Sequence, residues 1–181
     1  MGRALDTDRL CLTTSRSARY YVSGAYWARD CMLWAFPGLL RRNPALAREA
    51  LLLACTAYLE NGAYHALYLN GAVLYPGFEL DQLAAPVLAL ERYVRLTGDA
   101  GILALPEIAR AMAYTAEQLA RWRDERTGLY ATELSPSDDP ADCQFLTYDN
   151  VLALAALRFL DGKAGDFQRE IAALEGALNT L

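Results

Sequence analysis

Apolar residues recur at spacings of three and four through most of the chain, and sustained apolar–polar alternation is nearly absent. That pattern predicts six helices. The first runs from about Ala25 to Arg41, with Pro37 expected to kink or break it. Asn43-Pro44 opens a second, from Ala45 to about Glu60, stopped by Asn61-Gly62. A third begins near Leu80 and closes at Thr97-Gly98-Asp99, where glycine suits a helix terminus. The fourth spans about Pro106 to Arg123, the fifth Thr147 or Tyr148 to Leu160, and the sixth about Asp166 to Leu178.

The connections between these helices are unequal. Arg41 to Pro44, Gly98 to Pro106 and Asp161 to Asp166 are short, as turns within helical hairpins should be. Gly62 to Phe78 and Gly128 to Thr147 are long, polar or aromatic. The expected fold is all-α: three antiparallel helical hairpins forming one domain over residues 1–181. A curved stack of hairpins gathers one set of connections on one face. Three acidic motifs fall at that end: Tyr26-Trp27-Ala28-Arg29-Asp30, Phe78-Glu79-Leu80-Asp81-Gln82 and Ser135-Pro136-Ser137-Asp138-Asp139. Their side chains are therefore expected to converge.

Composition narrows the chemistry. The 181 residues are 54% hydrophobic and 22% charged, which suits a globular chain with a real core. A net charge of −5 with scattered basic residues argues against nucleic acid, which needs clustered Lys and Arg. The cysteines Cys11, Cys31, Cys55 and Cys143 lack paired spacing, so neither a disulfide framework nor a zinc site is expected. Cys55 reads as a small core residue and Cys31 as buried near a pocket. His65 is the sole histidine, which leaves no His-rich metal site, and no cofactor is expected. Met1 to Thr13 lack a basic start followed by an apolar run, and no stretch reaches membrane-spanning length. A cytoplasmic protein without a membrane partner is the expectation.

Each acidic motif has a plain reading and a chemical one. Arg29 and Asp30 beside Trp27 form either a structural ion pair or a clamp for vicinal hydroxyls. Asp81 and Glu79 are either favourable charges in a first helical turn or, against apolar neighbours, carboxyls of raised pKa suited to acid catalysis. Asp138 and Asp139 sit in a turn-rich loop, with Glu133 nearby as a further open site acid. Thr147-Tyr148-Asp149-Asn150 is explained by capping of the fifth helix, and His65 with its tyrosine neighbours by a loop packed on the body. Carboxyl pairs, guanidinium groups and aromatic faces together are what a sugar-cleaving pocket requires.

In order, these segments resemble glycoside hydrolase family 125, the metal-independent exo-α-mannosidases, and more broadly the six-hairpin glycosidases. Trp27-Ala28-Arg29-Asp30-Cys31 is similar to the family's Trp-x-Arg-Asp-Ser element, with Cys for Ser. Phe78-Glu79-Leu80-Asp81-Gln82-Leu83, followed by Leu96-Thr97-Gly98-Asp99, matches a second element with Gln for Ser. Ser135-Pro136-Ser137-Asp138-Asp139 resembles an Arg-Pro-Ser-Asp-Asp loop lacking its Arg, and Thr147 to Asn150 weakly echoes a Pro-Ser-Asn helix start. The likeness runs from Tyr21 to Leu160. It implies an (α/α)6 toroid and hydrolysis with inversion. Carried over by position, Asp81 is the general acid, Arg29 and Asp30 hold the terminal sugar, and Asp138 and Asp139 bind hydroxyls around the cleaved bond. Trp27 and Glu79 complete the sugar-binding set. The substitutions at Cys31, Gln82 and Ser135 leave an α-glucosidase-type enzyme open.

Such a toroid needs twelve helices, and this chain predicts half of them. The family's catalytic base has no counterpart before Leu181. The expectations are therefore a fragment of a longer enzyme, a half-toroid completed by a second copy, or a non-catalytic carbohydrate-binding or assembly module. A symmetric dimer would have to supply a base from a residue such as Glu133.

Overall fold

A computed structural model describes residues 2–3, 10–14 and 24–180, with side chains from residue 12 onward. The leader reading of residues 1–13, the side chain of Cys11 and the start of the resemblance at Tyr21 lie wholly or largely outside them. A two-residue strand, β1 (Gly2–Arg3), pairs antiparallel with β2 (Leu10–Cys11). A π-helical turn, Asp30–Ala35, then leads directly into α1 (Phe36–Arg42). The switch from π to α register falls at Pro37, which has no N–H to donate to the preceding turn. The expected kink at Pro37 is thus a change of helix type.

α2 (Pro44–Ala54) is capped by Asn43, whose Oδ1 accepts from Leu46 N at 3.0 Å. It stops short of the expected Glu60. Thr56 Oγ1 donates back to Leu52 O at 2.7 Å, and Tyr58 OH donates to Leu69 O at 2.5 Å. These bonds tie residues 55–62 into turns against the next segment rather than another helical turn.

The stretch from Gly62 to Phe78, expected to be a loop, contains a hairpin: β3 (Tyr64–Leu67) antiparallel to β4 (Val73–Phe78). Its register, Tyr64↔Phe78, Ala66↔Tyr75 and Leu67↔Val73, is interrupted by bulges, so side chains do not alternate cleanly between faces. That explains why period two is missing from its sequence.

α3 (Leu80–Thr97) forms the centre and packs against α1, α2, the π-helical turn, α4 (Pro106–Arg121) and α5 (Thr147–Leu160). It ends as expected at Gly98, in the left-handed conformation with φ 74°. A short 3-10 turn, Ala100–Ala104, joins it to α4. α6 (Gln168–Leu178) packs on α5. The hairpins α1–α2, α3–α4 and α5–α6 are thus present, and a continuous buried cluster runs between them through Phe36, Leu51, Leu80, Leu90, Ile108 and Leu157. No helix among the described residues is long and apolar enough to cross a membrane.

Candidate functional site

The start of α3 is shaped from two sides. Leu80 N donates to Thr132 Oγ1 at 3.2 Å, and Phe78 N donates to Glu133 Oε2 at 2.6 Å. Phe78 stacks on Trp122, with ring centroids 3.9 Å apart and planes within 3°. The segment around Thr132 and Glu133 is therefore clamped to the end of β4, and the turn after it extends over the N-terminus of α3. Asp138 crowns that turn in the left-handed region with φ 69°, a conformation an aspartate tolerates better than most side chains.

These elements deliver carboxylates from three separate segments to Arg29. Arg29 Nη1 donates to Glu79 Oε2 at 2.6 Å and Asp81 Oδ2 at 3.2 Å. Nη2 donates to Asp138 Oδ1 at 2.8 Å, and Nε lies 3.6 Å from Asp30 Oδ2. Arg29, Asp30, Glu79 and Asp81 are all at most 3% exposed, whereas Asp138 is 45% exposed and covers the group from outside. Gln82 fixes the register: its Oε1 accepts from Arg29 N at 3.0 Å, and its Nε2 donates to His65 O at 2.6 Å.

The electrostatics follow from this crowding. Burial works against the Arg29 cation, but the charges of Asp81, Glu79 and Asp30 outweigh it and hold its pKa above the usual value. Burial raises both Glu79 and Asp81; Arg29 pulls both back, and His65 also pulls Glu79 back, without cancelling the rise.

Two residues that the sequence explained blandly belong here. His65 Nδ1 contacts Glu79 Oε1 and lies 3.8 Å from Asp138 Oδ1, so β3 carries a member of the network. Asp149 does not cap α5. The N-cap is Leu146, without a side-chain cap bond, and Asn150 instead holds the Tyr130 backbone through bonds of 2.7 and 2.9 Å. Asp149 is 1% exposed and its pKa is pushed up to about 7, by burial first and then by the charges of Asp81 and Glu79. The sequence offered no more than position for either. The single histidine lies two residues after Ala63 in an aromatic connection, and an aspartate sits in the first turn of a helix whose start reaches the same end of the fold.

Other expected members stand apart. Asp139 is exposed, and its side chain meets Ser137 Oγ at 3.5 Å while its backbone carbonyl closes the turn at Ser135 N. Glu133 is committed to the Phe78 amide. Trp27 is 2% exposed and edge-on to His65 at 6.4 Å, so its ring lines the back of the network. The exposed rings at the rim are Tyr148, 45% exposed and within electrostatic reach of Asp81 and Arg29, and Tyr75, 44% exposed and 5.8 Å from His65. Cys31 and Cys55 are buried, as expected, and burial pushes their thiols up to about 11 and about 12. His65, Glu79 and Asp138 bring donor atoms within 4.8 Å of one another, a spacing that would admit a cation. Arg29 already fills that position for the two carboxylates, and the trio is an ion-pair network around a guanidinium.

The described residues thus form an all-α hairpin fold whose acidic network sits where three connections meet. No family model matches the chain, and no curated protein matches it by sequence. Among solved structures, the fold is similar to that of a metal-independent α-mannosidase of Streptococcus pneumoniae, studied in a non-productive complex with α-1,6-mannobiose. The TM-score is 0.63 at 17% identity, covering 86% of this chain and 49% of that one. The chain therefore spans about half the length of that mannosidase. At this identity the likeness establishes a shared helical fold alone.

Proposed function

We propose that the chain is the sugar-binding, acid-bearing half of an α-mannosidase-like glycosidase, about half of an (α/α)6 toroid. The carrying observation is the single guanidinium of Arg29, which gathers Glu79, Asp81 and Asp138 from two distant segments beside its own neighbour Asp30. A surface ion-pair network gains little from such convergence, whereas a site that must orient several hydroxyls needs alternating donors and acceptors held in place. In this reading Arg29 and Asp30 hold the terminal sugar and Asp81 is the general acid of an inverting reaction. Glu79, Asp138 and Asp139 bind hydroxyls, with Trp27 backing the site. Tyr148 and Tyr75 supply the aromatic rim on which a pyranose face would stack.

The test is NMR titration of the full chain with α-1,6-mannobiose. Shifts centred on Arg29, Asp138 and Tyr148, abolished in Tyr148→Ala and Asp138→Ala, are expected. Absence of binding to mannosides and glucosides alike would refute the carbohydrate reading.

A second reading, a binding module without turnover, is favoured by Glu133. Its carboxylate, the candidate base, is engaged with a backbone amide. Hydrolysis of an activated α-mannoside, lost in Asp81→Asn, separates the two: turnover supports the enzyme, and binding without turnover supports the module.

A further inference from the structure

The acids of the network are not equivalent. Asp30, Glu79, Asp81 and Asp138 each have an atom within 4.0 Å of the Arg29 guanidinium, and Glu79 also meets His65. Among the described residues, Asp149 has no such cation. Its Oδ1 is buried and has no hydrogen-bond partner among the described residues. It stands in the first turn of α5, the helix packed along α3, and the charges it feels across that contact are Asp81, Glu79 and Arg29. On its own helix, Tyr148 feels the charges of Asp81, Arg29, Asp149 and Asp30. The ion pair joining α5 to α6, Arg158 with Glu175, lies nine residues further along, on the order of 13 Å away by helical rise. A buried carboxylate facing two acids, with no cation of its own, is the member of such a set that must give up its charge.

We propose that Asp149 is a neutral carboxylic acid of this site, presenting its proton as a hydrogen-bond donor to a sugar oxygen. The proposal rests on the carbohydrate reading above and refines it: Asp81 keeps the general-acid role, and Asp149 adds a second protonated carboxyl to the site. The ionised carboxylates around Arg29 offer a sugar only acceptors. A neutral acid adds a donor, buried where water competes little. The shift of Asp149 to about 7 agrees with this charge inventory.

Carboxyl carbon NMR of the aspartate-labelled full chain, titrated from about pH 4 to about pH 9, tests it. The expected result is one aspartate titrating near neutrality that disappears in Asp149→Asn. Asparagine keeps the shape and a donor, so the fold is retained, and circular dichroism of the variant checks this. Titration of Asp149 in the ordinary carboxylate range overturns the proposal. The second arm is mannobiose binding across the same pH range. Binding that weakens tenfold or more as Asp149 ionises, and stays level in Asp149→Asn, supports the donor role. Equal pH dependence in both proteins overturns it. Titration near neutrality with no sugar bound at any pH overturns the carbohydrate reading and leaves the neutral carboxyl standing.

Discussion

Replacing Arg29 with methionine removes the one cation on which Asp30, Glu79, Asp81 and Asp138 converge. Methionine fills a similar volume without charge, so the change isolates electrostatics from packing. Glu79 and Asp81 are the bonds that matter, at 2.6 and 3.2 Å in a group at most 2% exposed. Breaking a buried pair by deleting one partner costs about 3–5 kcal/mol, because the other charge stays buried. The Asp138 contact adds little, since that carboxylate is 45% exposed and solvent screens it.

The loss depends on pH, and the sign can be assigned. Burial already raises Glu79 and Asp81 in the native protein, and without Arg29 both rise further. An acid whose folded pKa exceeds its unfolded value favours folding below the unfolded pKa, and that contribution is lost as pH rises through the folded pKa. Arg29→Met is therefore expected to approach the parent near pH 4 and to fall behind by about 3–5 kcal/mol above neutrality. Denaturant unfolding followed by circular dichroism at both pH values measures this against a total of about 5–15 kcal/mol for an ordinary domain. A deficit that is the same at both pH values, or below about 1 kcal/mol at neutrality, would refute the charge argument and leave Arg29 a packing residue.

Three other outcomes follow from single contacts. Asp149→Asn should gain stability over the parent as pH rises. With Asp149 pushed up to about 7 and an unfolded value near 3.9, the parent loses about 4 kcal/mol at most across that window. Equal melting at about pH 4 and a higher melting temperature for the variant at about pH 8 are the expected readings. Asn150→Ala strands the buried Tyr130 N–H, bonded at 2.7 Å, and should lose about 2–3 kcal/mol in urea unfolding. Gly71→Ala combines φ 87° with a methyl 2.6 Å from the Ala57 carbonyl oxygen. A loss of about 2 kcal/mol is expected, and an unchanged urea midpoint would show that the turn yields.

The helices were legible because each carries its own punctuation: Asn43-Pro44, Thr97-Gly98-Asp99 and Asp161-Gly162 are local signals that need no tertiary information. The hairpin Tyr64–Leu67 with Val73–Phe78 was not legible, because its bulges break the alternation and its exposed Tyr64, Tyr68 and Tyr75 obscure which face is inward. The end of α2 was missed for a related reason, since Tyr58 is held by Leu69, eleven residues on. At the site, the convergence of Arg29, Asp30, Glu79, Asp81 and Asp138 could be read because the motifs recur at one end of successive hairpins. Asp149 and His65 could not. Each had a sufficient local explanation, a cap for one and a packed loop for the other, and only the three-dimensional charge inventory overrides it.

The same inventory explains why two aspartates in equivalent positions behave differently. Asp81 and Asp149 both occupy the first turn of a long helix, where the backbone dipole favours an anion. That effect is worth about 0.3–1 kcal/mol, whereas moving a carboxylate out of water costs several kcal/mol. Helix position therefore cannot keep either residue ionised once it is buried to 1% exposure. What separates them is reach. Arg29 Nη1 arrives at Asp81 Oδ2, while Asp149 meets only the charges of its neighbours. One guanidinium within reach of Asp81 and not of Asp149 pulls the nearer aspartate back toward its ordinary range and leaves the farther one raised. The difference between the two acids thus follows from where a single side chain reaches, not from their place in the first turn of a helix.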